Sequence, residues 1–104
     1  MVSPGELQQI LIQDNVLLLD VHVPKQKHIP GTDHHIAFYR IDENAHLYPA
    51  DKTTPIYLYC ESGPMANWAA RSLHNLGYRN LISLDGGTHA WEKAGFALQA
   101  EATP

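Results

Sequence analysis

A chain of 104 residues has room for one hydrophobic core and not for two, so one domain over residues 1–104 is expected. With 44% hydrophobic and 17% charged residues it has the make-up of an ordinary globular protein, and a net charge of −4 leaves no basic face for nucleic-acid phosphates. No apolar run reaches membrane-spanning length, the N-terminus lacks the regions of a signal peptide, and a lone cysteine makes neither an internal disulfide nor a Cys-x-x-Cys pair, so the cytoplasm is the expected compartment.

The chain opens on a dense helix start. Ser3 suits the N-cap, Pro4 the first helical position and Glu6 the reciprocal place in a capping box, with Val2 and Leu7 spaced for a hydrophobic staple. The helix presents Leu7, Ile10 and Leu11 on one face and stops near Asp14-Asn15. Val16 to Val21 follows as a continuous apolar run broken only by Asp20, which suits a strand buried on both faces of a parallel sheet. Asp20 lies at its carboxyl end, the side of an open α/β sheet where ligands bind, and capping of the following loop is its simplest role. His28-Ile29-Pro30-Gly31-Thr32 reads as a turn, Ile36-Ala37-Phe38 as a short strand, Asp42 to Leu47 as a short helix, and Tyr48 to Pro55 as a polar loop.

The next stretch carries the chemistry. Ile56 to Tyr59 has the composition of a buried strand and ends at Cys60, the only cysteine. A short loop with Gly63 and Pro64 leads to a helical segment, Ala66 to Leu76. A strand feeding a tight loop that opens a helix aims several N–H groups and the positive end of the helix dipole at one spot. A cysteine there is favoured as the nucleophilic thiolate, whereas a buried structural cysteine would have no such need, and at this point both readings stand. Ala69, Ala70, Leu73 and Leu76 mark the helix's apolar face, and Gly77 takes the place of a C′ glycine with Leu73 and Tyr78 in contact. Leu81 to Leu84 is the last strand, Asp85-Gly86-Gly87 a turn, and Thr88 to Ala94 a final helix. Strands alternating with helices predict a parallel sheet covered on both faces.

Four stretches taken together resemble the rhodanese-like domain family: Leu18-Leu19-Asp20-Val21, His28-Ile29-Pro30-Gly31, Tyr59-Cys60-Glu61-Ser62-Gly63, and Leu84-Asp85-Gly86-Gly87-Thr88-His89-Ala90-Trp91. The resemblance runs from about Ser3 to Gly95, nearly the whole chain. It implies a three-layer α/β/α fold with a five-stranded parallel sheet, and a sulfurtransferase whose cysteine takes a sulfane sulfur from thiosulfate or a persulfide. The cysteine becomes a persulfide and hands its outer sulfur to cyanide or a thiol, on a small molecule or on a partner protein. On this resemblance Cys60 is the nucleophile, and the amides of Glu61, Ser62, Gly63, Met65 and Ala66 form the cradle. Asp20, His22, His28, Gly86 and Gly87 support the site, and no cofactor or metal is implied.

The chain departs from the family pattern at the loop. Many active members place an arginine five residues after the cysteine, where it closes the loop on an anionic donor; here that residue is Met65. Pro64 has no N–H to offer, and Glu61 puts a negative charge beside the sulfur. Asp-Val-Arg becomes Asp20-Val21-His22, and the link to His28 is shorter by about three residues. Arg71 is too far along the helix to replace the missing arginine. These changes weaken the case for thiosulfate turnover and raise a second reading, a low-turnover sulfur carrier or a non-catalytic interaction module. A phosphatase or arsenate reductase of the same fold is disfavoured because the segment Cys60 to Met65 has no cation.

Other signals carry less. Seven histidines include Asp33-His34-His35 near His28, yet no ligand spacing of a zinc site accompanies them, and His34 and His35 are read as flanking a strand. His22 comes within reach of Cys60 if the strand ends cluster. Trp68 and Trp91 are read as packing residues, and Asn67 as a hydrogen-bonding group at the pocket mouth.

Overall fold

Helix α1 spans Pro4–Gln13 and begins with the full capping box: Glu6 N–H donates to Ser3 Oγ at 3.2 Å and Ser3 N–H to Glu6 Oε1 at 2.9 Å. In this computed structural model, which describes residues 1–100, α1 is followed by β1 (Leu17–Asp20), β2 (His34–His35), a 3-10 segment (Asp42–Leu47) and β3 (Ile56–Tyr59). Helix α2 (Pro64–Asn75), β4 (Leu81–Ser83) and α3 (Gly87–Lys93) complete the chain. Residues 101–104 of the expected domain lie outside the described part.

The sheet is parallel throughout, in the order β2-β1-β3-β4, with Asp20 beside Tyr59 and Leu58 beside Ser83. Its two faces are read directly from side-chain alternation along the strands. Leu19, Ile56 and Leu58 pack with Ala66, Ala69 and Leu73 of α2, while Leu18 and Tyr59 pack with Leu7 of α1 and Trp91 of α3. The result is the expected three-layer α/β/α arrangement. The chain winds from β1 out to β2, then returns to the other side of β1 to make β3 and moves on to β4. The switch in direction falls between β1 and β3, and the crevice beyond their carboxyl ends is where such sheets bind ligands.

Among the described residues there are four strands where five were expected. Val2 pairs with Leu84 in a single parallel bridge, Val2 N–H donating to Ser83 O and Asp85 N–H to Val2 O. Ser3 at once caps α1 and Pro4 lacks an N–H, so the ladder ends after one residue. The strand expected at Ile36–Phe38 is found at His34–His35, which are therefore the strand and not its flanks. Asp33 explains the shift: its carboxylate accepts Leu18 N–H at 2.8 Å and its own N–H donates to Leu18 O at 2.9 Å, so pairing begins there. Ile36 and Phe38 continue it, bonding to Asp20 O and Val21 O.

Helix α2 starts two residues earlier than expected, because Pro64 suits the first helical position and Gly63, with φ of 147°, turns the chain into it. Its far end is a Schellman motif, with Tyr78 N–H on Leu73 O and Gly77 N–H on His74 O. Among the described residues no helix is long and apolar enough to cross a membrane.

Candidate active site

Cys60 is the first residue past β3, and burial of that strand carries it inward: the cysteine is 1% exposed. Its Sγ accepts the Gly63 N–H at 2.9 Å. The first intrahelical bond of α2 runs from Asn67 N–H to Gly63 O, so the amides of Met65 and Ala66 precede it in the first turn, and no side chain caps this end. Of the five amides expected in the cradle, only that of Gly63 bonds the sulfur. Pro64 contributes no N–H, and a sulfur anion here meets one close donor and the positive end of a 12-residue helix.

The loop is held from behind by α3. Thr88 N–H donates to Cys60 O at 2.9 Å and His89 N–H to Glu61 O at 3.0 Å. Gly87 allows this approach, since a methyl group there would overlap Cys60 O and come within 2.6 Å of the Glu61 carbonyl, and its φ is 58°. Gly86, at φ of 77°, makes the left-handed turn that enters α3, and a Cβ on it would meet Ala90 Cβ at 2.5 Å. Sequence pointed to the two glycines but not to Thr88 or His89, whose contribution is made through the backbone and leaves no mark on residue type.

Cys60, Glu61, Ser62, Pro64 and Met65 wall a pocket of about 180 Å³ together with His22 from the end of β1. His22 Nδ1 donates to Pro24 O at 2.7 Å, and Nε2 lies 3.4 Å from Glu61 Oε2, an ion pair when the ring is protonated. Met65 is tied inward by a 3.4 Å contact in which Val23 N–H donates to Sδ. No lysine or arginine lines this pocket.

Asp20 and His28 are brought together away from the sulfur. Both are fully buried, and His28 Nδ1 lies 2.7 Å from Asp20 Oδ2. Asp20 Oδ1 also accepts His22 N–H at 2.9 Å, and Gln26 Nε2 donates to both carboxylate oxygens at 3.3 Å. Asp20 thus caps the loop that carries His22. His28 is a buried anchor, its backbone paired with Gln99 in both directions. Gln26, which sequence did not single out, extends the network by accepting Thr88 Oγ1–H at 3.2 Å. Below it, Tyr59 has its phenol pushed upward from its ordinary value by burial and by the nearby Asp20 charge. Among the described residues no three His, Cys, Asp or Glu side chains converge as metal ligands.

Trp68 corrects an expectation. It is 61% exposed on the outer face of α2, whereas Trp91 is buried in the core as expected. Asn67 is exposed beside Trp68 and lines a groove along that face, not the cysteine pocket.

A parallel α/β/α fold with a cysteine opening the loop between a central strand and a helix defines the class. Comparison with known proteins agrees: the sequence model of the family "Rhodanese-like domain" matches residues 3–94. The chain belongs to that family. It is 33% identical over 97 residues to the uncharacterized protein slr1261 of Synechocystis sp., an alignment covering 90% of this chain and 52% of that one, so the chain spans about half the length of that relative. It is 27% identical over 96 residues to the thiosulfate sulfurtransferase GlpE of Pseudoalteromonas translucida, covering 89% of each. Among solved structures, the rhodanese-like domain of the Alr3790 protein from Anabaena sp. superposes with a TM-score of 0.82 at 20% identity, over 97% of this chain and 79% of that one, a likeness of fold.

Proposed function

We propose that the protein is a sulfurtransferase in which Cys60 carries a sulfane sulfur from a donor, thiosulfate or a persulfide, to a thiophilic acceptor, cyanide or a thiol. The observation that carries this reading is the placement of Sγ at the N-terminus of α2, 2.9 Å from the Gly63 N–H, with Cys60 on the wall of a pocket of about 180 Å³. With thiosulfate, the Cys60 thiolate attacks the outer sulfur, a new S–S bond forms, and sulfite leaves with the electron pair of the broken bond. Cyanide then attacks the terminal sulfur of the persulfide, thiocyanate departs, and the thiolate returns. Membership in the family and the likeness to a thiosulfate sulfurtransferase support the same chemistry. We place the reaction in the cytoplasm, where a lone thiol stays reduced.

Glu61, Ser62, Gly63, Met65 and Ala66 are proposed as the donor-binding loop, with Gly63 N–H as its closest contact to sulfur. Asp20, His22, His28, Gly86 and Gly87 are proposed as its support: Asp20 and His28 hold the loop of His22, and the glycines let α3 grip the cysteine loop. The test is thiocyanate formation from thiosulfate, or from an alkyl persulfide, and cyanide. Activity that disappears in Cys60→Ala supports the reading, and activity that survives the substitution overturns it.

One observation favours a second reading, a low-turnover sulfur carrier or non-catalytic interaction module. The pocket has no lysine or arginine and has Glu61 at its wall, so a dianionic donor lacks a permanently charged partner there and its turnover is slowed. A single stoichiometric transfer without repeated cycles would select that reading.

A further inference from the structure

The outer face of α2 carries features that sulfur chemistry at Cys60 leaves unused. Trp68 is 61% exposed on the helix, and Trp, Tyr and Arg are the residue types enriched among those that dominate binding energy at protein interfaces. It is held in position: its ring meets Phe38 edge-on with 5.5 Å between centroids, and Phe38 meets Tyr39 in the same way at 5.2 Å. Tyr39 is itself 58% exposed, so two exposed rings flank Phe38, which is half-buried against the core. Arg71 follows Trp68 by three residues and is its neighbour on the helix surface. Among the described residues no carboxylate pairs with the Arg71 guanidinium.

Trp68 and Arg71, with Pro64, Asn67, Ser72 and Asn75, wall a groove of about 400 Å³. Pro64 also walls the pocket of Cys60, so the groove and that pocket are neighbours across this one residue. On a chain of net charge −4, an unpaired arginine beside an exposed indole is a local site for carboxylates with an apolar neighbour. Glu61, on the pocket wall and 3.4 Å from His22, repels carboxylates from the loop itself and leaves the Arg71 side as the favourable approach.

We propose that this groove docks an acidic polypeptide segment of a partner protein, whose cysteine enters the Cys60 pocket to exchange sulfur. The proposal rests on the sulfur-transfer reading above and names its macromolecular partner by chemistry. In the accepting direction the partner thiolate attacks the terminal sulfur of the Cys60 persulfide. One S–S bond forms, one breaks, the Cys60 thiolate leaves, and the partner cysteine becomes the persulfide with no net oxidation.

Two synthetic peptides test this, each with one cysteine at its end, one carrying aspartates and glutamates several residues from the cysteine and the other carrying lysines there. Discharge of the Cys60 persulfide by each is measured relative to discharge by cyanide. The acidic peptide should outpace the basic one by about tenfold at low ionic strength, Arg71→Glu should reverse that order, and Trp68→Ala should slow the acidic peptide relative to cyanide. A second readout needs no persulfide: the Trp68 indole N–H signal, assigned with Trp68→Phe, should shift on adding the acidic peptide with its cysteine replaced by serine. Equal peptide rates and an unmoved indole signal, with cyanide discharge intact, overturn the docking and leave the enzyme reading standing. A shifted indole without a rate preference breaks the link to Cys60 and overturns the proposal as well. If Cys60 never loads, the enzyme reading fails and takes the sulfur exchange with it, and an unmoved indole signal then overturns the docking separately.

Discussion

At the residue scale, the proposed sulfur chemistry rests its donor preference on two side chains. Met65 occupies the position from which an arginine would reach into the pocket, and Glu61 adds a negative charge at the same wall. Met65→Arg should raise kcat/KM toward thiosulfate by about tenfold to a hundredfold, the range that one charge-assisted hydrogen bond supplies. An unchanged or lower value, in a variant whose folding is verified, would show that the loop lacks room or that the donor is not bound there. Gly87 sets a different limit. Gly87→Ala should cost about 1–3 kcal/mol in urea unfolding, because its Cβ overlaps the Cys60 and Glu61 carbonyls in addition to the cost of φ at 58°. Gly95→Ala, at φ of 93° with no atom within 4 Å, should cost distinctly less, and equal costs would deny the close approach any role. The cysteine, its loop and both glycines were legible as residue types. The grip of Thr88 and His89 on the loop was not, because a backbone N–H belongs to every residue but proline.

At the element scale, the first helix shows how far local chemistry reaches. The capping box at Ser3 and Glu6 forms as read, since all its partners lie within one turn. Ser3→Ala should cost about 1 kcal/mol of stability, measured by denaturant unfolding. The Ser3 N–H and hydroxyl bonds hold the Glu6 carboxyl below its ordinary value of 4.5. A depressed folded value means that the contribution is present above 4.5 and is lost as pH falls through the lower folded value. The stability gap between the natural chain and Glu6→Gln should therefore close in acid, and a gap constant with pH would contradict the assigned bonds. The strand at β2 was misplaced for the opposite reason. Ile36 and Phe38 have the higher strand propensity, but Asp33 locks onto Leu18 across the sheet and starts the pairing at His34. Register set by a long-range bond is invisible to propensity. The fifth strand reduced to Val2 is a related case, in which two good local rules, a helix cap and a strand end, compete for adjacent residues.

At the scale of the whole molecule, the sheet places the ends of β1 and β3 side by side, and the alternating pattern of strand and helix was enough to predict it. What closes the arrangement is a buried polar network absent from any local pattern. Tyr59 Oη accepts Ile29 N–H at 3.0 Å and lies 2.7 Å from Thr32 Oγ1, which donates to Ile29 O. Tyr59→Phe strands these partners and should cost about 1–3 kcal/mol. Burial raises the Tyr59 phenol above its ordinary value of 10.0 and pushes Tyr48 up to about 12. Raised folded values mean that stability is full below 10.0 and falls as the unfolded phenols ionise above it. Denaturant unfolding followed across about pH 8 to pH 11 should show that decline, shallower in Tyr59→Phe. A flat profile would contradict the buried, neutral phenols.

Intact mass shows whether Cys60 carries sulfur. The natural chain and Cys60→Ala are incubated with thiosulfate and, separately, with an alkyl persulfide, and each is weighed before and after cyanide. A sulfur-carrying Cys60 should give a gain of one sulfur atom on the natural chain from at least one donor, absent in Cys60→Ala and removed by cyanide with release of thiocyanate. No gain from either donor, or a gain that persists in Cys60→Ala, would contradict it.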